Sequence, residues 1–265
     1  MNLEIEKEDT EVVSINGLTK RILSSIILIL FTLLLNQLGG YYFLIIVLSI
    51  VFLLLLEYYR LFSLPLDIKF FLNYIGISLC IILTFYNFIF LTIFPFMLGI
   101  TIASVKKGKW FIRVFSYFYF TIPACLIIFL NNYVENGKLM ITWFLIIVWS
   151  SDIFGFTFGK IFKGPKLISI ISPNKTWVGF LASIFGASIL SILFSIYFNL
   201  TNYKDAFLIG LIVSVFCVIG DLFESFLKRK NNIKDTSKLI PGHGGVLDRL
   251  DGFLFAIVIF CIIAL

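Results

Sequence analysis

The chain is poor in the residues from which most soluble enzymes build their sites. Charged residues occupy 14% of its 265 positions, and histidine occurs once, as His243. The four cysteines, Cys80, Cys125, Cys217 and Cys261, each stand alone in an apolar run. The absence of any CxxC or Cys/His pairing removes zinc and dithiol redox chemistry and leaves packing as their expected role. No GxxxxGK[ST] occurs, which excludes a Walker-type nucleotide site. The first 19 residues hold five acids and one Lys, so they lack the basic start of a secretory signal. A cytoplasmic segment over 1–21 is expected instead. No internal repeat is evident, and an inverted-repeat transporter would show matching broken helices in two halves.

What is present is apolar. Hydrophobic residues make up 60% of the chain and the mean hydropathy is +1.05, against roughly 45–50% apolar in soluble domains. The reading is an all-α, polytopic integral membrane protein. A span needs about 20 apolar residues, and nine stretches qualify: 22–38, 41–59, 70–86, 88–105, 110–130, 139–159, 176–199, 205–227 and 248–265. A tight turn near Asn87 divides the third from the fourth, and Pro95 and Pro123 interrupt two spans. Residues 22–265 are therefore expected to form a single transmembrane domain.

Cation placement supports that count. With alternating sides, 19 of the 21 Lys and Arg fall on the side of the N-terminus, leaving Lys138 and Lys204 opposite. The positive-inside rule then places the N-terminus in the cytoplasm, in a multi-pass arrangement in the cell inner (cytoplasmic) membrane. The net charge of +6 is dispersed among these loops, so no nucleic acid is expected as a partner.

Against this background, residues 225–251 form a polar cassette, SFLKRKNNIKDTSKLIPGHGGVLDRLD, with six Lys or Arg, three Asp and the single His. Five acids gather at the same ends of three spans: Asp152, Asp221, Glu224, Asp248 and Asp251. Carboxylates at bilayer depth are costly and point to function. Asp221 and Glu224 are i,i+3 on one helix, as are Asp248 and Asp251, so each pair shares a face. Asp152 and Asp221 each lie about seven residues before a span end, roughly 10 Å below the boundary at 1.5 Å per residue. The expected result is a polar cavity open to the cytoplasm. Several carboxylates there repel one another unless a counter-ion is present, and Mg²⁺ suits a few carboxylates together with substrate phosphates. The competing reading, ion pairing with Lys228, Arg229 and Arg249 purely to hold helices, fits one acid better than five.

Two loops flank this cluster. Ser172-Pro-Asn174-Lys175-Thr176 stands just before a helix N-terminus, where free N–H groups and the dipole favour an anion. Gly242-His243-Gly244-Gly245 lets backbone approach a phosphate without Cβ obstruction. Glu57, near the end of the second span, reads as a snorkelling interface residue.

The cassette resembles that of the phosphatidate cytidylyltransferases, the CDP-diacylglycerol synthases. Their pattern S-x-x-K-R, K-D, P-x-H-G-G-x-x-D-R-x-D is filled by Ser225, Lys228, Arg229, Lys234, Asp235, Pro241, His243, Gly244, Gly245, Asp248, Arg249 and Asp251. Gly220-Asp221-Leu-Phe-Glu224-Ser225, Asp152 ahead of Phe158-Gly159-Lys160, and Ser172 to Trp177 also fit. The likeness covers about 145–260, which marks the expected catalytic region. One position departs: Val178 stands where the family usually has Glu.

The resemblance implies CTP and phosphatidate as substrates, CDP-diacylglycerol and pyrophosphate as products, and a lipid bilayer as surroundings, with a homodimer as an option. It implies Mg²⁺, with a second, monovalent cation such as K⁺ as an option, at Asp221 and Asp248. The catalytic set it implies is Asp221, Asp248, Asp251, Lys228 and Arg229. The substrate-binding set is Asp152, Ser172, Asn174, Lys175, Thr176, Glu224, Ser225, Lys234, His243, Gly244, Gly245 and Arg249. An ion or solute transporter is the non-enzyme alternative. Among enzymes, the D-G-x-x-A-R pattern of CDP-alcohol phosphotransferases is absent, and a CTP-dependent polyprenol kinase should lack the full cassette.

Overall fold

Helices account for almost all of the regular structure. The computed structural model describes residues 27, 29–104, 109–233, 236–237, 239 and 244–265. The expected N-terminal segment 1–21, together with Lys234 and His243, lies outside the described residues. Each expected span carries a helix among the described residues: α1 (Ile29–Leu38), α2 (Gly40–Leu61), α3 (Ile68–Phe85), α4 (Ile93–Ser104), α5 (Trp110–Tyr133), α6 (Gly137–Phe162), α7 (Trp177–Tyr197), α8 (Tyr203–Lys230) and α9 (Leu247–Ala264). Six of these, α2, α3 and α5 to α8, are long and apolar enough to cross a membrane. α9 has the length, but Asp248, Arg249 and Asp251 crowd its first turns.

Local chemistry sets the helix ends. Asp67 caps α3 by accepting from Lys69 N at 3.0 Å, and Asn202 caps α8 by accepting from Asp205 N at 2.9 Å. Asn87 takes a positive φ of 64° in the turn after α3. A short 3₁₀ turn, Ile89–Thr92, then leads into α4. Pro95 falls in the first turn of α4, where its missing N–H has no intrahelical partner to lose. Pro123 lies inside α5 without ending it.

The loop after α6 adds an element that the all-α reading lacks. β1 (Lys166–Ile168) and β2 (Ser172–Thr176) form an antiparallel hairpin, pairing Lys166 with Thr176 and Ile168 with Ser172. Its alternation is too short to register against the surrounding hydropathy. The hairpin runs directly into α7.

Helices α6, α7, α8 and α9 pack in succession, and α5 lies against α9. Small residues at the crossings make this possible, as in membrane bundles generally, where close backbone approach replaces hydrophobic drive. A Cβ on Gly179 would meet the Gly155 carbonyl oxygen at 2.6 Å, so α6 and α7 touch backbone to backbone. Gly210 packs in the same way against Ser188 and Ser191 between α8 and α7. At the α8–α9 crossing, a Cβ on Gly220 would stand 2.6 Å from the Asp251 carbonyl oxygen. The α5 face is filled by Tyr119, whose ring meets Phe223 at 6.1 Å and Phe255 at 5.8 Å. Such aromatic pairs add about 0.5–1.5 kcal/mol each beyond area burial. Trp143 of α6 donates to the Ser191 carbonyl and hydroxyl at 3.2 and 3.1 Å, tying α6 to α7 below the site.

Candidate active site

The close crossings of α6, α8 and α9 bring their acidic residues to one place. A cleft of about 300 Å³ is lined by Asp152 and Phe156 of α6, Lys175 of β2, Asp221 and Ser225 of α8, and Asp248, Arg249 and Asp251 of α9. Four carboxylates thus share one small space with Lys175 and Arg249. Asp152 and Asp221 lie at matching depth on neighbouring helices. Their oxygens and the Cys217 sulfur all fall within 4.8 Å of one another. Cys217 is buried behind the cleft, its sulfur 3.9 Å from Asp152 Oδ1.

Two lysines answer these acids. The hairpin carries Lys175 over the cleft, where its Nζ meets Asp221 Oδ2 at 2.8 Å. Lys228 comes from the last turn of α8, bonding Asp248 Oδ1 at 2.8 Å and lying 3.2 Å from Glu224 Oε1. Glu224 is buried to 1% exposure, and neither of its oxygens accepts a hydrogen bond. The Lys228 contact is therefore a charge contact outside hydrogen-bond geometry. Asp248 is better satisfied: Oδ2 accepts from Thr236 N at 3.0 Å and Gly245 N at 2.8 Å. Its Oδ1 holds one donor and keeps a second lone pair.

Gly244 and Gly245 have specific reasons. Gly244 adopts φ 87°, and a Cβ there would come within 2.8 Å of Asp248 Oδ2. At Gly245 a Cβ would stand 2.1 Å from Thr236 Oγ1 and 2.5 Å from Glu57 Oε2. Both glycines are required by close carboxylate packing.

Other expected site residues have different places. Thr176 is buried at 3% exposure and caps α7, accepting from Gly179 N at 3.1 Å. Trp177 N donates to the Pro165 carbonyl at 3.1 Å. Two N–H donors at that helix start are thus already used within the protein. Ser172 and Asn174 lie on β2 and outside the cleft lining, Asn174 being exposed. Arg229 is exposed and donates to the Ile171 carbonyl at 3.4 Å, bracing the hairpin. Val178, where the resemblance expects Glu, faces Gly164, at which a Cβ would approach Val178 Cγ2 to 3.2 Å.

Glu57 overturns its sequence reading. It is not at an interface but fully buried, and it accepts four hydrogen bonds from the segment around α9's start. Thr236 and Ser237, two of its partners, are likewise absent from the site residues that the sequence implies. The available signal was Glu57's own position: a carboxylate inside an apolar span defaults to function.

The donor set suits a hard divalent cation. Asp152, Asp221, Asp248 and Asp251 offer oxygen ligands in excess of the cations facing them, and the buried Glu224 oxygens beside them accept no hydrogen bond. Cys217 is a soft donor, unsuited to Mg²⁺. The tight group among the described residues joins Asp221 to Asp152, while Asp248 stands outside it, held by Lys228 and the loop N–H groups.

The family model described as the cytidylyltransferase family matches residues 19–265. A phosphatidate cytidylyltransferase of Rickettsia typhi is 41% identical over 146 residues, covering 52% of this chain and 64% of that protein. One from Helicobacter pylori is 41% identical over 123 residues, covering 46% of each chain. One from Staphylococcus aureus is 41% identical over 125 residues, covering 46% of this chain and 48% of its own. The chain thus spans less than two thirds of the length of these relatives.

Proposed function

Because this chain belongs to the cytidylyltransferase family, we propose that it transfers CMP from CTP to phosphatidate, giving CDP-diacylglycerol and pyrophosphate. The observation that carries this reading is the cleft itself: four carboxylates and two cations, contributed by α6, the hairpin, α8 and α9, inside a multi-pass membrane protein. The relatives bearing that activity's name support the choice of CTP and phosphatidate.

In this reaction a phosphatidate oxygen attacks the α-phosphorus of CTP as the bond to pyrophosphate breaks. The attacking oxygen is already anionic, so no strong base is required. The difficulty is bringing two polyanions together, and catalysis of this type rests mainly on positioning and charge neutralisation. Mg²⁺ bound by Asp221 and Asp248, with Asp152, Asp251 and Glu224 in support, would supply Lewis-acid neutralisation of phosphate charge. Lys175 and Arg249 point cationic groups into the same space and can meet phosphate oxygens directly. Lys228 orients Asp248 and screens Glu224 from it. The cassette then faces the cytoplasm at the inner membrane, where CTP is present, and acyl chains stay in the bilayer while the head group enters the cleft.

The test uses purified protein in lipid nanodiscs with phosphatidate, Mg²⁺ and CTP labelled at either the α- or the γ-phosphate. The α-label should pass to a lipid product with matching release of pyrophosphate. Transfer of the γ-label instead, or product only with another lipid acceptor, would replace this reading with a CTP-dependent lipid kinase or another transferase.

A further inference from the structure

Glu57 lies on α2, 179 to 190 positions away in sequence from every group it binds. Its Oε1 accepts from Ser237 Oγ at 2.6 Å and Val246 N at 3.0 Å. Its Oε2 accepts from Thr236 Oγ1 at 3.0 Å and Leu247 N at 2.8 Å. All four donors belong to the α8–α9 connection or to the first turn of α9. No ion pair reaches Glu57 among the described residues. Its charge is therefore balanced by oriented donors and by the positive end of α9.

Asp248 binds the same segment from the other side, through Thr236 N and Gly245 N. Thr236 joins the two acids, giving its hydroxyl to Glu57 and its N–H to Asp248. Gly245 fits between them because it has no Cβ. A carboxylate buried without a cation is costly to desolvate, and an apolar side chain in its place would leave four donors unmatched. What a carboxylate adds is direction: four donors fixed at two oxygens set both the start of α9 and the placement of Thr236 and Ser237.

We propose that Glu57 is a positioning residue for the cytidylyl transfer, holding Thr236, Ser237, Val246 and Leu247 so that Asp248 faces Lys228 and the cleft. The proposal rests on the reaction assigned above. Glu57→Gln keeps the shape but turns one acceptor into a donor, setting it against two of the four donors. In nanodisc-embedded full-length protein, turnover should fall by about 10- to 100-fold, the usual effect of losing a group that orients a ligand-bearing residue. KM for phosphatidate should stay within about twofold, because the loss concerns transition-state geometry and not lipid binding. Hydrogen exchange should rise at the Val246 and Leu247 amides while α3, α6 and α7 keep their wild-type protection. Glu57→Asp, which retains the charge on a shorter arm, should recover part of the turnover.

Wild-type exchange and turnover in Glu57→Gln would overturn the proposal. So would a rise in exchange across all helices, which would mark Glu57 as a general stabiliser. Should Glu57→Gln fail to fold, Thr236→Val and Ser237→Ala each remove one hydroxyl donor and should loosen the same two amides; wild-type exchange in both would be equally decisive. If the wild type consumes no CTP with phosphatidate, the assigned reaction fails, and the exchange pattern still decides whether Glu57 holds this segment.

Discussion

Replacing Lys228 with Met removes the cation shared by Glu224 and Asp248 while keeping most of the apolar stem. Among the described residues Lys228 is the ion-pair partner of both, at 3.2 and 2.8 Å. The side chains of the two acids are 1% and 6% exposed. Asp248 would keep its bonds from Thr236 N and Gly245 N, but Glu224 accepts no hydrogen bond and would be left buried without a cation. Breaking a buried pair in this way costs about 3–5 kcal/mol. At about 2–4 °C per kcal/mol for a chain of this size, the midpoint should drop by roughly 6–20 °C. Thermal unfolding in detergent, followed by tryptophan fluorescence, measures this directly. The drop should be similar at low and high salt, because buried charges are little screened. Adding Glu224→Gln to Lys228→Met removes the stranded charge and should restore a substantial part of the loss. A melt within about 2 °C of wild type, less than the smallest expected drop, would show that the pair carries no such charge balance.

Asp248→Asn should abolish turnover while the protein still inserts and folds. One acceptor oxygen is lost from a group that binds Lys228 and two loop N–H donors, at a cost of about 1–3 kcal/mol for each donor left unmatched. Near-normal CTP consumption would remove Asp248 from the metal-holding set. Gly252→Ala would place a Cβ 2.6 Å from Cys217 Sγ and 2.8 Å from Asp221 Oδ1. It should destabilise by about 1–3 kcal/mol and reduce turnover more than that figure implies, since it spreads the α8–α9 crossing at the cleft. Equal activity in Gly252→Ala would mean that the Asp221 position tolerates this displacement.

Much of the cleft is legible from spacing. Asp221 with Glu224 and Asp248 with Asp251 share helix faces by i,i+3 geometry, and the matched depth of Asp152 and Asp221 follows from rise per residue. In the structure those oxygens and the Cys217 sulfur fall within 4.8 Å. Thr176 and Arg229 were harder to place. Each lies in a stretch rich in polar groups, and whether a hydroxyl caps a helix or a guanidinium braces a hairpin depends on a few ångströms of loop path. The hairpin itself is not legible in the sequence, because three- and five-residue strands leave no periodic trace. The segment 240–243, with His243, lies outside the described residues.

The sequence by itself determined the all-α, multi-pass membrane class, because a bilayer demands long apolar runs, and these are a property of composition along a line. It also marked the carboxylates, because acids inside oil are too costly to be casual. Only the tertiary structure decided which cation answers which acid, and that Glu57 belongs to the same assembly as Asp248. Those pairings join α2 to α9 and α8 across long stretches of chain. They depend on which helix faces pack together, and close crossings at Gly179, Gly220 and Gly252 set that choice at distances no spacing rule can express.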